Sequence, residues 1–149
     1  MNLALTTPEV TVRKLLAINL MGTIFSCQAF APLLVRGKSG SIINFSTIAV
    51  DLGLRGESIY VASKAGVEGF SYALANEFAD FNIRVNCIAP GPIDTSLLSG
   101  ISGPQIENIV NRQILKKQFS VADICDVVEF LLGESSVSIT GQVMKVGGS

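Results

Sequence analysis

Ser41-Ile42-Ile43-Asn44-Phe45-Ser46 is a short run of mainly β-branched and apolar residues, the composition of a strand covered on both faces of a parallel sheet. A parallel strand needs crossover connections, and helical patterns lie on both sides of this one. Upstream, Thr7-Pro8-Glu9 reads as a helix start, with a hydroxyl cap, proline at the first helical position and an acid at the positive end of the dipole. That helix is expected to run to about Leu34, with Arg36-Gly37-Lys38-Ser39-Gly40 as the turn into the strand. Downstream, the loop-like stretch from Gly53 to Ser58 leads into Ile59 to Phe81, where alanine, glutamate and aromatic residues recur at helical spacing. Asn82 to Ala89 is a second strand, cut off by Pro90-Gly91-Pro92 because proline has no amide to donate to a ladder. Asp94 to Gln118 reads as irregular with short helices. Ser120 caps a helix through Leu132 that stops at Gly133, and Gln142 to Val146 is the last strand. The alternation predicts an α/β chain: part of an open, doubly wound parallel sheet with flanking helices. Ligands of such sheets bind at the carboxyl ends of the strands, which puts Thr47 and Pro90-Gly91-Pro92 on one rim.

With 149 residues, 48% hydrophobic and 15% charged, the chain is long enough for one domain with a substantial core and too apolar for disorder. Its eleven basic and twelve acidic residues are interspersed, so there is no single-sign surface for a nucleic-acid backbone, and no nucleic-acid partner is expected. Cys27, Cys87 and Cys125 are odd in number and far apart; they read as reduced packing residues of a cytoplasmic protein rather than a disulfide framework. The lack of histidine removes Ser-His-Asp and Cys-His catalysis and leaves little to ligate a metal, so none is expected. Leu15 to Val35 is uncharged and close to the length of a bilayer span. Asn19, Thr23, Ser26 and Gln28 are polar, however, Pro32 lies inside, and Arg13, Lys14, Arg36 and Lys38 flank both ends without an orienting bias, so no membrane association is expected. Met1 to Thr6 has no pattern of a secretion signal.

Tyr60 and Lys64, four residues apart near the start of a predicted helix, project from one face. On an ordinary helix such a pair lies at the surface. Here Tyr60-Val61-Ala62-Ser63-Lys64-Ala65-Gly66-Val67 resembles the active-site helix of the short-chain dehydrogenase/reductase family, and four further segments match in order. Asn19-Leu20-Met21-Gly22 is similar to the family's asparagine segment, and Gly40 to Thr47 to its serine-bearing strand. Asn82 to Thr95 is similar to the cofactor-facing strand and turn, and Ile139-Thr140-Gly141-Gln142 to the entry of the last strand. The general pattern is nearest to 3-oxoacyl-[acyl-carrier-protein] reductase-like members.

The resemblance implies an oxidoreductase that uses NAD or NADP to interconvert a hydroxyl and a carbonyl on a small-molecule substrate. Tyr60 would be the acid–base, because a ketone accepts hydride only when its oxygen is protonated or hydrogen-bonded. A free phenol has a pKa of about 10, so Lys64 is expected to supply the positive charge that stabilises the phenolate. By resemblance Lys64 also bonds the nicotinamide ribose, and Asn19 holds a proton-relay water near it. Thr47, thirteen residues before Tyr60, takes the place of the catalytic serine, with Ser46 as the alternative. Pro90, Gly91, Ile93 and Thr95 match the turn over the nicotinamide, where glycine permits close approach and the Ile93 amide can hold the carboxamide.

No strand, glycine-rich turn and helix of the pyrophosphate-binding kind occurs near the start. The expectation is therefore that residues 1–149 are the C-terminal portion of one Rossmann-like domain, with the N-terminal strands missing. The strand at Ser41 to Ser46 would then have an unpaired edge, and the helices at 8–34 and 59–81 resemble the pair used for homo-oligomer contacts. A catalytically silent oligomerising or interaction module is the alternative to an enzyme.

Overall fold

The computed structural model describes residues 3–95, 98 and 100–149. Its first long element is a 29-residue helical rod, Glu9–Gly37, made of α1 (Glu9–Leu16), one π turn (Ala17–Met21) and α2 (Gly22–Gly37). The cap at its start lies one residue later than the sequence suggests. Pro8, in extended geometry, is the N-cap, and its carbonyl accepts from Thr11 and Val12. The Thr7 hydroxyl instead donates to Leu3 O (3.0 Å) across the short 3-10 turn Ala4–Thr6. At the far end the helix outlasts Leu34 by about a turn and stops at Lys38, whose left-handed φ of 51° ends it.

The remaining elements follow the predicted alternation: β1 (Gly40–Phe45), α3 (Ala49–Leu52), α4 (Ser58–Phe78), β2 (Ile83–Pro90), α5 (Gly103–Arg112), α6 (Val121–Leu132) and β3 (Val143–Val146). The three strands form one parallel sheet in the order β1-β2-β3, with Gly40 to Phe45 opposite Ile83 to Ile88 and Cys87 to Pro90 opposite Val143 to Val146. Pro90 ends β2 one residue later than expected. Proline lacks only the donor, so its carbonyl still accepts from Ile48 N (3.1 Å), and the next amide, Gly91 N, donates to Val146 O (3.0 Å).

Side chains alternate across a strand, and that sorts the helices into two layers. Ile42 and Val85 face the rod and α4, where they pack with Cys27, Leu74 and Ala75. Asn44 faces the same way, donating to Ser71 Oγ (2.8 Å) and accepting from Cys27 Sγ (3.6 Å). Ser41 faces the opposite layer and donates to Leu131 O of α6 (3.0 Å). Ser120 caps α6, as the sequence predicts, in a capping box with Asp123 that lowers the Asp123 pKa. The outward face of the rod stays apolar: Phe25 and Phe30 are 56% and 65% exposed, and Ile18 and Leu33 lie open beside them. Among the described residues, β1 is paired along one edge only.

Candidate active site

Both rim segments end at one cleft of about 1020 Å³, and Asn19, Thr47, Tyr60, Lys64, Pro90, Gly91, Ile93 and Thr95 all line it. They come from four places in the fold: the π turn, the segment after β1, the first turns of α4, and the turn after β2. α5 and α6 close the cleft with an apolar wall that includes Ile106, Ile109, Ile124 and Val128.

The π turn meets α4 through a side chain that the sequence reading passed over. Ser63, fully buried, donates to Tyr60 O (2.7 Å) and accepts from Asn19 Nδ2 (3.0 Å). The Asn19 carbonyl, in turn, accepts from Thr23 Oγ1 (2.8 Å). A π turn inserts one residue into a helix and turns the following side chains, a distortion often found at functional sites. Here it brings Asn19 against the helix that carries Tyr60. The Asn19–Ser63 bond ties the rod to the sheet's helix layer, although the rod's length and apolar character would also suit a bilayer span.

Ser46 and Thr47 are adjacent, so they turn in different directions at the strand's end. Ser46 Oγ donates to Glu68 Oε1 (2.5 Å) in α4. Thr47 Oγ1 accepts from Ala49 N (3.2 Å), which leaves its proton free to donate, and it lies against the Tyr60 phenol. Lys64 Nζ donates to Phe45 O (2.9 Å), so its ammonium is anchored at the end of β1, and burial lowers its pKa.

Burial pushes the Tyr60 phenol up from its ordinary value; the Thr47 hydroxyl opposes this, and the negative charge of Glu57 adds to it. The Lys64 ammonium, expected to stabilise the phenolate, is held here by the Phe45 carbonyl. Glu57 itself lines the cleft, and burial raises its pKa too. The reading of all three cysteines as packing residues holds for two. Cys27 and Cys87 are buried, with the Cys87 thiol pushed up to about 12 chiefly by burial, whereas Cys125 is exposed and lines the cleft.

The turn after β2 is strapped from behind. Phe119 N donates to Pro92 O (3.0 Å) and Asp94 N to Phe119 O (2.9 Å), a parallel bridge that leaves the Ile93 N–H and C=O pointing away from Phe119. The Ile93 carbonyl takes the Thr95 hydroxyl (3.5 Å), and its N–H makes no hydrogen bond within the described residues. Packing gives Gly91 a second reason to be glycine, beside the close ligand approach that the sequence suggests. A Cβ there would sit 1.8 Å from Gln113 Oε1, on a side chain only 1% exposed. Gln113 Nε2 donates to Lys117 O (3.0 Å), while its Oε1 is buried without a partner among the described residues. A lone glutamine after an amphipathic helix gives no sequence signal of this role.

The family model described as Enoyl-(Acyl carrier protein) reductase matches residues 2–148. The chain is 39% identical over 133 residues to the 3-oxoacyl-[acyl-carrier-protein] reductase FabG of Chlamydia muridarum, covering 86% of this chain and 52% of that protein. It is 40% identical over 147 residues to carbonyl reductase family member 4 of Xenopus laevis, covering 98% and 60%. Among solved structures it superposes on a 3-oxoacyl-[acyl-carrier protein] reductase from Brucella melitensis with a TM-score of 0.90 at 28% identity, covering 97% of this chain and 55% of that one. A short-chain type dehydrogenase/reductase from Mycobacterium ulcerans gives 0.92 at 28%, covering 98% and 54%. The chain thus spans between half and three-fifths of the length of these relatives. With its parallel sheet, its Tyr60 and Lys64 helix and a family model that matches nearly end to end, the chain belongs to the short-chain dehydrogenase/reductase family.

Proposed function

We propose that residues 1–149 form the C-terminal portion of one Rossmann-like domain and carry the hydroxyl–carbonyl side of an NAD(P)-dependent oxidoreductase. The observation that carries this reading is the convergence of Tyr60, Thr47, Lys64 and Asn19 on one cleft at the carboxyl ends of the strands. Tyr60 gives its proton to the substrate oxygen in reduction and takes it back in oxidation. Thr47 donates a hydrogen bond to the same oxygen. Lys64 and Asn19 hold the polar side of the cleft next to Tyr60.

The nicotinamide fits the opposite lip, where the free Ile93 N–H is a donor for its carboxamide, alongside Pro90, Gly91 and Thr95. When bound, the nicotinamide supplies or accepts the hydride. The substrate class we favour is a 3-oxoacyl compound or a related ketone, in line with the names of the relatives. Cytoplasmic residence agrees with the free thiols.

Titration of the chain with NADH and with NADPH, followed by nicotinamide fluorescence, tests this reading. Saturable binding that weakens at least tenfold in Lys64→Ala is expected; equal binding by the variant would count against it.

The exposed apolar face of the rod favours self-association through the helices at 8–34 and 59–81, since Phe25, Phe30 and Leu33 would otherwise face water. Sedimentation is expected to show a dimer or larger species across micromolar concentrations, reduced to monomer by Phe25→Glu with Phe30→Glu. A wild-type monomer at every concentration contradicts it. Stable association by a chain with no affinity for either nucleotide would instead support the silent interaction module.

A further inference from the structure

Glu57 stands where α4 begins, three residues before Tyr60, and both side chains line the cleft. Its backbone is fixed on both sides: the amide donates to Leu54 O (3.1 Å) and the carbonyl accepts from Val61 N (2.7 Å). Its carboxylate makes no hydrogen bond or salt bridge within the described residues; the ion pairs there join Glu9 to Arg13, Asp123 to Lys117, and Asp51 to Lys145. It is close enough to Tyr60 for its charge to act on the phenol.

The other charges around the cleft sharpen the point. Among the described lining residues only Glu57, Glu129 and Lys64 are ionisable at their ends with full charge, and the single cation, Lys64, is engaged by Phe45 O. Much of the remaining lining is apolar, with Leu54, Leu98 and Ile101 among it. Among the described lining residues, a substrate carrying a carboxylate or phosphate next to its carbonyl would thus meet a carboxylate of like charge and no cation but the engaged Lys64. An uncharged carbonyl compound would meet the Tyr60 and Thr47 hydroxyls, apolar surface, and in Glu57 a hydrogen-bond acceptor without charge repulsion.

We infer that Glu57 is a specificity-determining residue that excludes carbonyl substrates bearing a negative charge beside the reacting carbon and selects neutral ones, such as ketoesters and ketothioesters. Like-charge juxtaposition is a common way to reject a competitor that shape alone admits. The inference rests on the oxidoreductase reading above, since it takes Tyr60 as the point where the carbonyl binds.

The test uses two probes that differ in charge at one end, acetoacetate and its methyl ester, with the wild-type chain and Glu57→Gln. The ratio of kcat/KM for ester over acid is measured with NADPH or NADH, and the ratio of binding is measured in parallel by saturation-transfer NMR without turnover. Using ratios cancels any common effect of the substitution on Tyr60. The wild type is expected to favour the ester, and Glu57→Gln to shrink that preference by about tenfold, the scale of a like charge at short range in a partly buried site. An unchanged ratio in the variant, or a wild type that binds both probes equally or neither, overturns the inference. A chain that discriminates in binding but turns over neither probe keeps the role of Glu57 and sinks the oxidoreductase reading instead.

Discussion

Tyr60→Phe is expected to lower carbonyl reduction by roughly 10²–10⁴-fold, the usual contribution of a positioned general acid, while leaving nucleotide affinity within a few-fold of wild type. The substitution removes one oxygen. The phenol's neighbour is the Thr47 hydroxyl at the cleft, whereas the bond within α4 from Ser63 goes to the Tyr60 backbone carbonyl, which phenylalanine keeps. A loss confined to turnover therefore identifies the hydroxyl as the proton donor, and retention of more than a tenth of the activity would remove Tyr60 from that role. The pH profile adds a second check. Burial raises the phenol, so the protonated form that reduction needs persists through neutral pH and through the ordinary tyrosine range near pH 10, and is lost only as pH passes above it. Reduction should be level across neutral pH, and oxidation, which needs the phenolate, should climb with pH. A reductive profile that already falls by pH 8 would mean that positive charge outweighs burial at Tyr60.

Gly91→Ala is expected to destabilise the chain by about 1–3 kcal/mol, the typical cost of overpacking, and to weaken nicotinamide binding together with it. The added methyl falls 1.8 Å from Gln113 Oε1 and 2.9 Å from its Cδ, so either the glutamine or the turn must move. Gln113 resists because it is buried and holds Lys117 O. Pairing the change with Gln113→Ala makes room for the methyl. Urea denaturation of the two single variants and the double variant should show the double to be less destabilised than the sum, by about 1 kcal/mol or more. Additive losses would mean that the clash is relieved elsewhere, and that Gln113 does not set the position of the turn.

Much of the fold was legible because the strands announce themselves. Ser41 to Ser46 and Asn82 to Ala89 are apolar runs bounded by turn residues, and each lies within a residue or so of the observed strand. The candidate site was legible mainly through the resemblance carried by Tyr60 to Val67 and the segments around it; spacing alone gives Tyr60 and Lys64 only a shared helix face, and strand ends in such a sheet share a rim. What could not be read depends on contacts between distant segments. The π turn calls for no special residue; Ala17, Ile18, Leu20 and Met21 would suit a regular helix, and the shift goes with Asn19 meeting Ser63, 44 residues away. The partner of Lys64 is a backbone carbonyl, which every residue possesses, so no pattern marks Phe45. Gln113 is placed by the path of the chain after α5. The choice between Ser46 and Thr47 needed the strand's end to be located to a single residue, finer than composition allows.

The wider i→i+5 turn in the rod takes up one extra residue over about the arc of an ordinary helical turn. A one-residue deletion between Ala17 and Met21 would therefore restore a regular helix and leave its two halves nearly in phase. In most helices such a deletion is read as damage to folding; in this one it would improve local regularity and take Asn19 off Ser63. Insertions and deletions here would thus change the contact between the rod and α4 while sparing the rest of the rod's packing, which makes this short span a place where length, as much as residue identity, sets what Asn19 meets.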